Sequence, residues 1–370
     1  VNQGKLRSEE FASSAERKKG NKSRGKNFFT ANLVYKKRAI LHCVLRNILL
    51  QQMNLPYMKK AFLLVNLGTP DSPNPKDVKR YLTEFLLDPK VIDIPWILRQ
   101  TLVRGVIIPK RLAASSKSYQ DIWTKEGSPL LFHTKQLRDA LQEKFEAEIV
   151  SIAMRYQNPS IKDALKELQN EGVTHLTVLP LFPQYAEATS GSIIERVKKE
   201  VKNLKYKVEL KFIPHFFGLQ QMAKAFAEQA KDVASYDHVL MSFHGLPERQ
   251  LFKRKPAFCY RSHCFFTAKN IARELELKDY SVCFQSRLGK EEWLKPYASD
   301  VIANLAKKGV KRLLVFSPSF VTDCLETIYE IAEEYQKEFI HLGGERLDLV
   351  PSLNNHPTWV SGLELLLRLK

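Results

Sequence analysis

Residues 159–182 read PSIKDALKELQNEGVTHLTVLPLF, and residues 296–320 read PYASDVIANLAKKGVKRLLVFSPSF. Each opens on a Pro, continues at helical spacing to a Gly, and passes into a short apolar run that ends near a Pro and a Phe. Pro suits a helix start because its missing N–H is not needed there, and Gly suits the turn just past a helix end. A shift of 137 positions places Pro159, Asp163, Leu168, Gly172, Val173, Leu176 and Val178 on Pro296, Asp300, Leu305, Gly309, Val310, Leu313 and Val315. Identities in one register, with the same punctuation, point to an internal duplication of a helix–strand unit.

Outward from this pair, apolar runs recur at 61–67, 149–154, 176–179, 208–213, 238–243, 282–285, 313–316 and 347–350. Helical periods such as 160–170 and 297–307 separate most of them. Strands of continuous apolar character separated by helices predict parallel sheets covered on both faces. The expected fold class is therefore α/β, with two similar lobes that face each other across a cleft. Open α/β sheets bind ligands outside the carboxyl ends of their strands, so the chemistry is sought there. The expected organisation is a basic leader over 1–57, an N-terminal lobe over 58–235 and a C-terminal lobe over 236–370.

Composition narrows the function. The chain has 370 residues, 44% of them hydrophobic, and a formal charge of +18. Residues 1–57 hold 12 Lys/Arg against 3 Asp/Glu, so half of the excess lies in the leader. A basic leader of this kind reads as a disordered arm or an upstream extension before Met58. With the charge concentrated there, a nucleic-acid partner is not expected. No apolar run is long enough to span a membrane. The five cysteines form no disulfide framework, which fits a reducing compartment and a cytoplasmic location. The C-x4-C pair Cys259/Cys264, with Cys283, matches no standard zinc spacing.

Four features carry candidate chemistry. His244 ends the run 238–243 and is followed by Gly245, Leu246 and Pro247. A strand-end imidazole can accept a proton at neutral pH, although a lone loop histidine is more often structural. After the run 313–316 come Asp323, Glu326, Glu330 and Glu334. On an α-helix the three glutamates line one face, which suits a hydrated divalent cation. The plainer reading is a capping box made by Asp323 and Glu326. Arg111, Arg155 and Arg287, with the turn at Ser128 in Glu126-Gly127-Ser128-Pro129-Leu130 and its free amides, suit a carboxylate-bearing ligand. Residues 91–108, from Val91 to Ile108 with Trp96 among them, form either a buried helix or an exposed apolar lip for a flat ligand or a membrane surface.

Seven motifs occur in order: Leu64-Val65-Asn66-Leu67-Gly68-Thr69-Pro70, Glu126-Gly127-Ser128-Pro129-Leu130, Met154-Arg155-Tyr156, Pro183-Gln184-Tyr185, His244-Gly245-Leu246-Pro247, Gln285-Ser286-Arg287-Leu288-Gly289 with Trp293, and Asp323-Cys324-Leu325-Glu326-Thr327. Together they make residues 58–370 resemble the ferrochelatases, and the Gram-negative bacterial members in particular. The resemblance implies two Rossmann-like lobes, each a mostly parallel sheet flanked by helices, and insertion of Fe2+ into protoporphyrin IX, the terminal step of haem biosynthesis. It implies His244 and Glu326 as catalytic residues, and His244, Glu326, Asp323 and Glu330 as groups that handle the metal. Leu67, Arg111, Ser128, Arg155, Tyr156, Tyr185, Trp293 and Phe320 correspond to substrate-binding positions. Iron is a substrate, no bound cofactor is implied, and no iron–sulfur cluster is expected. Neither the cysteine-bearing C-terminal extension of animal members nor the plant-type tail is expected. Peripheral contact with the inner membrane through 91–108 is the expected membrane relation, and the oligomeric state is open. Rival readings are a coproporphyrin III or sirohydrochlorin-type chelatase and a non-enzymatic haem-binding protein.

Overall fold

A computed structural model describes residues 58–251, 259–289 and 291–369; the leader 1–57 and its expected character lie outside the described residues. Residues 59–370 form one compact unit. All eight expected strands form: β1 (Lys60–Gly68), β2 (Ile149–Tyr156), β3 (His175–Pro180), β4 (Glu209–Phe212), β5 (His238–His244), β6 (Ser281–Gln285), β7 (Arg312–Phe316) and β8 (Arg346–Leu349). They build two four-stranded sheets with the same topology, β2-β1-β3-β4 and β6-β5-β7-β8. Every pairing is parallel. The expected lobe boundary at 235/236 falls in the connection between β4 and β5.

The sequence repeat is a structural repeat. Helix Ile161–Asn170 leads into β3, and helix Ala298–Lys307 leads into β7 at the same offset. Gly172 (φ 73°) and Gly309 (φ 86°) end these helices in left-handed backbone, where a side chain would be strained. The amide of Met154 bonds the Pro159 carbonyl at 2.7 Å, and that of Phe284 bonds the Pro296 carbonyl at 2.9 Å, so each copy is tied to the neighbouring strand alike.

Alternation along each strand sorts the core into layers. On β1, Ala61, Leu63 and Val65 face helices Ile161–Asn170 and Ser192–Asn203 on the outer side. Phe62 and Leu64 face inward, into a cluster that also takes Met241 and Phe243 from β5 and Phe316 from β7. One core thus serves both sheets. Its central layer holds helices Pro129–Gln142, Gln220–Gln229, Tyr260–Glu274 and Pro357–Arg368. The last of these comes from beyond β8 yet packs on the first two. Its Trp359 is fully buried, with its ring 5.5 Å from that of Phe216. A separate cluster joins helices Pro75–Leu86 and Ile108–Ile122 to Leu325, Ile328 and Tyr329 of the second lobe. No helix among the described residues is long and apolar enough to cross a membrane.

Because the core is shared, Trp359→Ala is expected to cost about 3–5 kcal/mol and to lower the stability of both lobes in one transition. Urea denaturation followed by circular dichroism, with a reporter in each lobe, checks this; two separate transitions would contradict it.

Candidate active site

The carboxyl ends of the strands meet at a polar floor. Asn66, near the end of β1, donates to Thr134 Oγ1 (3.1 Å) and, across the cleft, to Thr322 Oγ1 (3.0 Å), while its own oxygen accepts from the Leu67 amide. Gln184 of the first lobe donates to the Pro318 carbonyl of the second at 3.3 Å. Each is buried, so these bonds hold the two rims in register without water.

His244 ends β5, half-buried, between Trp293 and Phe320, whose ring centroids lie 6.4 and 6.2 Å from its own. Its Nδ1 lies 2.6 Å from the Gly245 carbonyl. A carbonyl only accepts, so Nδ1 is the donor, and in the neutral ring this leaves the lone pair on Nε2. Gly245 is required by packing: a Cβ there would lie 2.8 Å from the Gln285 carbonyl and 3.1 Å from the Trp293 ring.

The acidic segment departs from expectation. Glu326–Tyr335 is a π-helix, not an α-helix. Its i→i+5 bonding puts more residues in each turn, so residues four apart fall short of a full turn instead of overrunning it. Glu330 consequently turns inward. It accepts from Ser286 Oγ (2.5 Å), Gln285 Nε2 (3.2 Å) and Tyr335 Oη (3.1 Å). Burial, then the charge of Glu330, raises the pKa of Glu334. Asp323, expected in the same row, holds a loop instead. Its oxygens accept from the Ser352 amide (3.1 Å), Asn354 Nδ2 (2.8 Å) and Thr327 Oγ1 (3.2 Å). The helix entrance is capped by Thr327, whose Oγ1 takes the Cys324 amide at 2.9 Å, so Glu326 closes no capping box. Glu326 lies close to the buried Cys324 thiol and to the buried Tyr81 and Tyr119 of the first lobe. Burial pushes both phenols well above their ordinary pKa, helped by the Glu326 charge at Tyr81 and by Tyr81 and then Glu326 at Tyr119, so they stay protonated. Among the described residues no three of His, Cys, Asp and Glu are grouped to hold a metal ion.

Gln285 connects these parts, and its role was not legible in the sequence. It pairs with His244 in the ladder. Its side-chain oxygen accepts from Ser242 (2.7 Å) and Ser317 (3.4 Å), and its nitrogen donates to Glu330 and to the Glu326 carbonyl (3.4 Å). All four bonding positions are used.

The expected ligand residues divide. Leu67, Trp293 and Phe320 are half-buried at the rim, and Arg111 is exposed, with no acidic partner among the described residues. Arg287 stacks on Tyr297 at 4.5 Å. Four others are bonded within the protein itself. Tyr156 is fully buried, its hydroxyl donating to Asp88 at 2.9 Å. Arg155 pairs with the same carboxylate at 2.5 Å and donates to Ser192 at 2.6 Å. Ser128 is buried against Thr69, which donates to it at 2.8 Å. Its turn offers fewer free amides than expected, since that of Gly127 bonds the Thr124 carbonyl. Tyr185 is buried and donates to Glu187 at 2.9 Å. Of these four, Tyr185 also lines a small pocket with Leu246 and Tyr260.

A sequence model of the ferrochelatase family matches residues 59–370. The chain belongs to the ferrochelatase family. A ferrochelatase from Azotobacter vinelandii is 43% identical over 332 residues, covering 83% of this chain and 98% of the relative. One from Legionella pneumophila is 41% identical over 326 residues, with the same coverages. The solved structure of SirB from Bacillus subtilis with Fe3+ shares the fold at TM-score 0.51 and 15% identity, over 84% of this chain and 95% of that one. The protein is accordingly an enzyme, a metal chelatase of the lyase class, and family membership implies ferrous iron as a substrate.

In this ferrochelatase the lip precedes β2. Arg99 is buried and donates to the Ile92 (3.2 Å) and Ile94 (2.8 Å) carbonyls, while Trp96, Ile97 and Leu98 are 66%, 68% and 59% exposed. Of the two readings of 91–108, the exposed lip is the one found. Arg249, just after the His-Gly-Leu-Pro turn, ion-pairs with Asp93 of this lip and with Glu291 beside Trp293.

Asp88 makes the wall pH-sensitive. Burial alone would raise its pKa, but bonds from Ser192 and the Lys90 amide, with Arg155 and Tyr156, hold it below the ordinary value. A depressed carboxylate stabilises the fold above its unfolded pKa and loses that contribution as pH falls through the folded one. Wild type is therefore expected to lose more stability than Asp88→Asn between about pH 5 and pH 2. Thermal melts across that range check it; parallel curves would contradict it.

Proposed function

We propose that the enzyme inserts Fe2+ into protoporphyrin IX to form protohaem, with His244 accepting pyrrole protons and Glu326 serving as its acidic partner. Metal insertion must displace two pyrrole N–H protons, and a planar ring hides its nitrogen lone pairs. A cleft that holds the ring bent brings it towards the transition-state shape. The observation that carries the reading is the Nε2 lone pair of His244, held between Trp293 and Phe320 by the Nδ1 bond to Gly245. A haem-binding protein needs no such base beside an acidic helix. Glu330 and the exposed Glu334 follow Glu326 along the helix, and the raised pKa of Glu334 suits a group that takes up protons. The exposed Arg111 is the propionate partner in this reading, and Leu67, Trp293 and Phe320 contact the macrocycle.

His244→Ala and Glu326→Gln are each expected to lower turnover by at least about 100-fold with porphyrin affinity little changed, and Glu334→Gln only mildly. Anaerobic haem formation from ferrous iron and porphyrin, read by absorbance, checks this. Wild-type turnover in folded His244→Ala would overturn the base assignment. Preference for coproporphyrin III in the same assay would overturn the substrate.

The exposed Trp96, Ile97 and Leu98, followed by exposed Arg104, Lys110 and Arg111, support a cytoplasmic enzyme in peripheral contact with an anionic membrane that supplies a greasy porphyrin. Flotation with phosphatidylglycerol vesicles is expected to carry the wild type and to leave behind the triple Ala variant at 96–98. Equal flotation would contradict the contact.

A further inference from the structure

β5 carries His244 beyond its ladder on one side only. Towards β6 the pairing runs to His244↔Gln285, but towards β7 it stops at Met241↔Phe316. The amide and carbonyl of His244 on the β7 side therefore lack backbone partners. Side chains replace them: the His244 amide donates to Ser319 Oγ at 3.2 Å, and Tyr260 Oη donates to the His244 carbonyl at 2.8 Å. The two hydroxyls lie 3.1 Å apart. The single Tyr260 proton is committed to a carbonyl that can only accept, so the Ser319 proton fills the contact between them. The result is a closed ring, amide to Ser319 to Tyr260 to carbonyl, in which each bond polarises the next. Both side chains are buried, so water does not substitute for a missing hydroxyl.

We propose that Tyr260 is a positioning residue for the His244 imidazole. The ring fixes the peptide between His244 and Gly245. The Gly245 carbonyl that orders the imidazole through Nδ1 follows directly on that peptide. Without the Tyr260 hydroxyl the His244 carbonyl is orphaned, the peptide keeps only its Gly245 amide bond to the Gln285 carbonyl (2.8 Å), and the Gly245 carbonyl that selects the Nδ1–H tautomer of the neutral ring is less firmly placed. The expected effect on turnover rests on the reading of His244 as the base; the effect on the imidazole does not.

Tyr260→Phe is expected to lower kcat by on the order of 10- to 100-fold, with KM for porphyrin close to wild type. Nitrogen-15 NMR of the His244 ring should show Nδ1–H alone in the wild type and a mixture of tautomers in Tyr260→Phe. Ser319→Ala should show the same mixture, Ser319→Thr should restore the single tautomer, and losses in the Tyr260→Phe/Ser319→Ala double variant should be less than additive. Tyr206→Phe is the control for general destabilisation, because this buried phenol also donates to a carbonyl, that of Val173 at 2.8 Å, far from the site. It should lower the melting temperature without changing kcat. A single unchanged tautomer in Tyr260→Phe overturns the inference. An active His244→Ala overturns the base assignment instead, and the NMR comparison still decides the role of Tyr260.

Discussion

Parallel strands all point one way, so in each sheet the ladder runs out along a single edge. There the backbone must find new partners or give up hydrogen bonds in a dry interior. In this chain the edge where β1, β5, β6 and β7 end is also the floor of the cleft. Asn66, Ser242, Gln285, Ser317 and Ser319 are buried along it. They satisfy one another and the strand ends, and in doing so they aim His244 and anchor the inner side of the acidic π-helix. Structural satisfaction and the arrangement of reactive groups are the same set of bonds.

Rigidity behind this floor comes from the shared core. Phe62 and Leu64 of one sheet meet Met241, Phe243 and Phe316 of the other through a common helical layer. A hinge between the lobes would break that layer. Movement needed to admit a macrocycle therefore falls to what lies outside it. That is the lip with Trp96, the ion pairs of Arg249 with Asp93 and Glu291, and the π-helix, whose hydrogen-bond pattern is less regular than that of an α-helix.

Much of the fold was legible because it rests on local rules. Most strands were predominantly apolar runs, and Gly172 and Gly309 marked helix ends through the backbone they permit. His244 was legible for the same reason: a strand end followed by Gly245 and Pro247 has one place to go. Pairings distant in sequence were not. Tyr156 and Arg155 looked available until Asp88, 67 residues earlier than Arg155, closed on both. Asp323 looked like part of an acidic row because its partners, Ser352 and Asn354, lie on a loop that no periodicity reveals. The π-helix escaped because glutamates spaced four apart read as one face of an α-helix, and only the i→i+5 backbone bonding distinguishes the two.

The helix Pro357–Arg368 closes the central layer over Leu137, Leu141 and Phe226 of the first lobe. On the ribosome these first-lobe side chains are made early, and their cover is made only after all eight strands. For the whole time that β5 to β8 are being translated, the nascent first lobe carries an open greasy face that nothing yet synthesised can hide. That face is covered only once this helix has emerged, and until then its protection from aggregation depends on chaperones and on the speed of elongation.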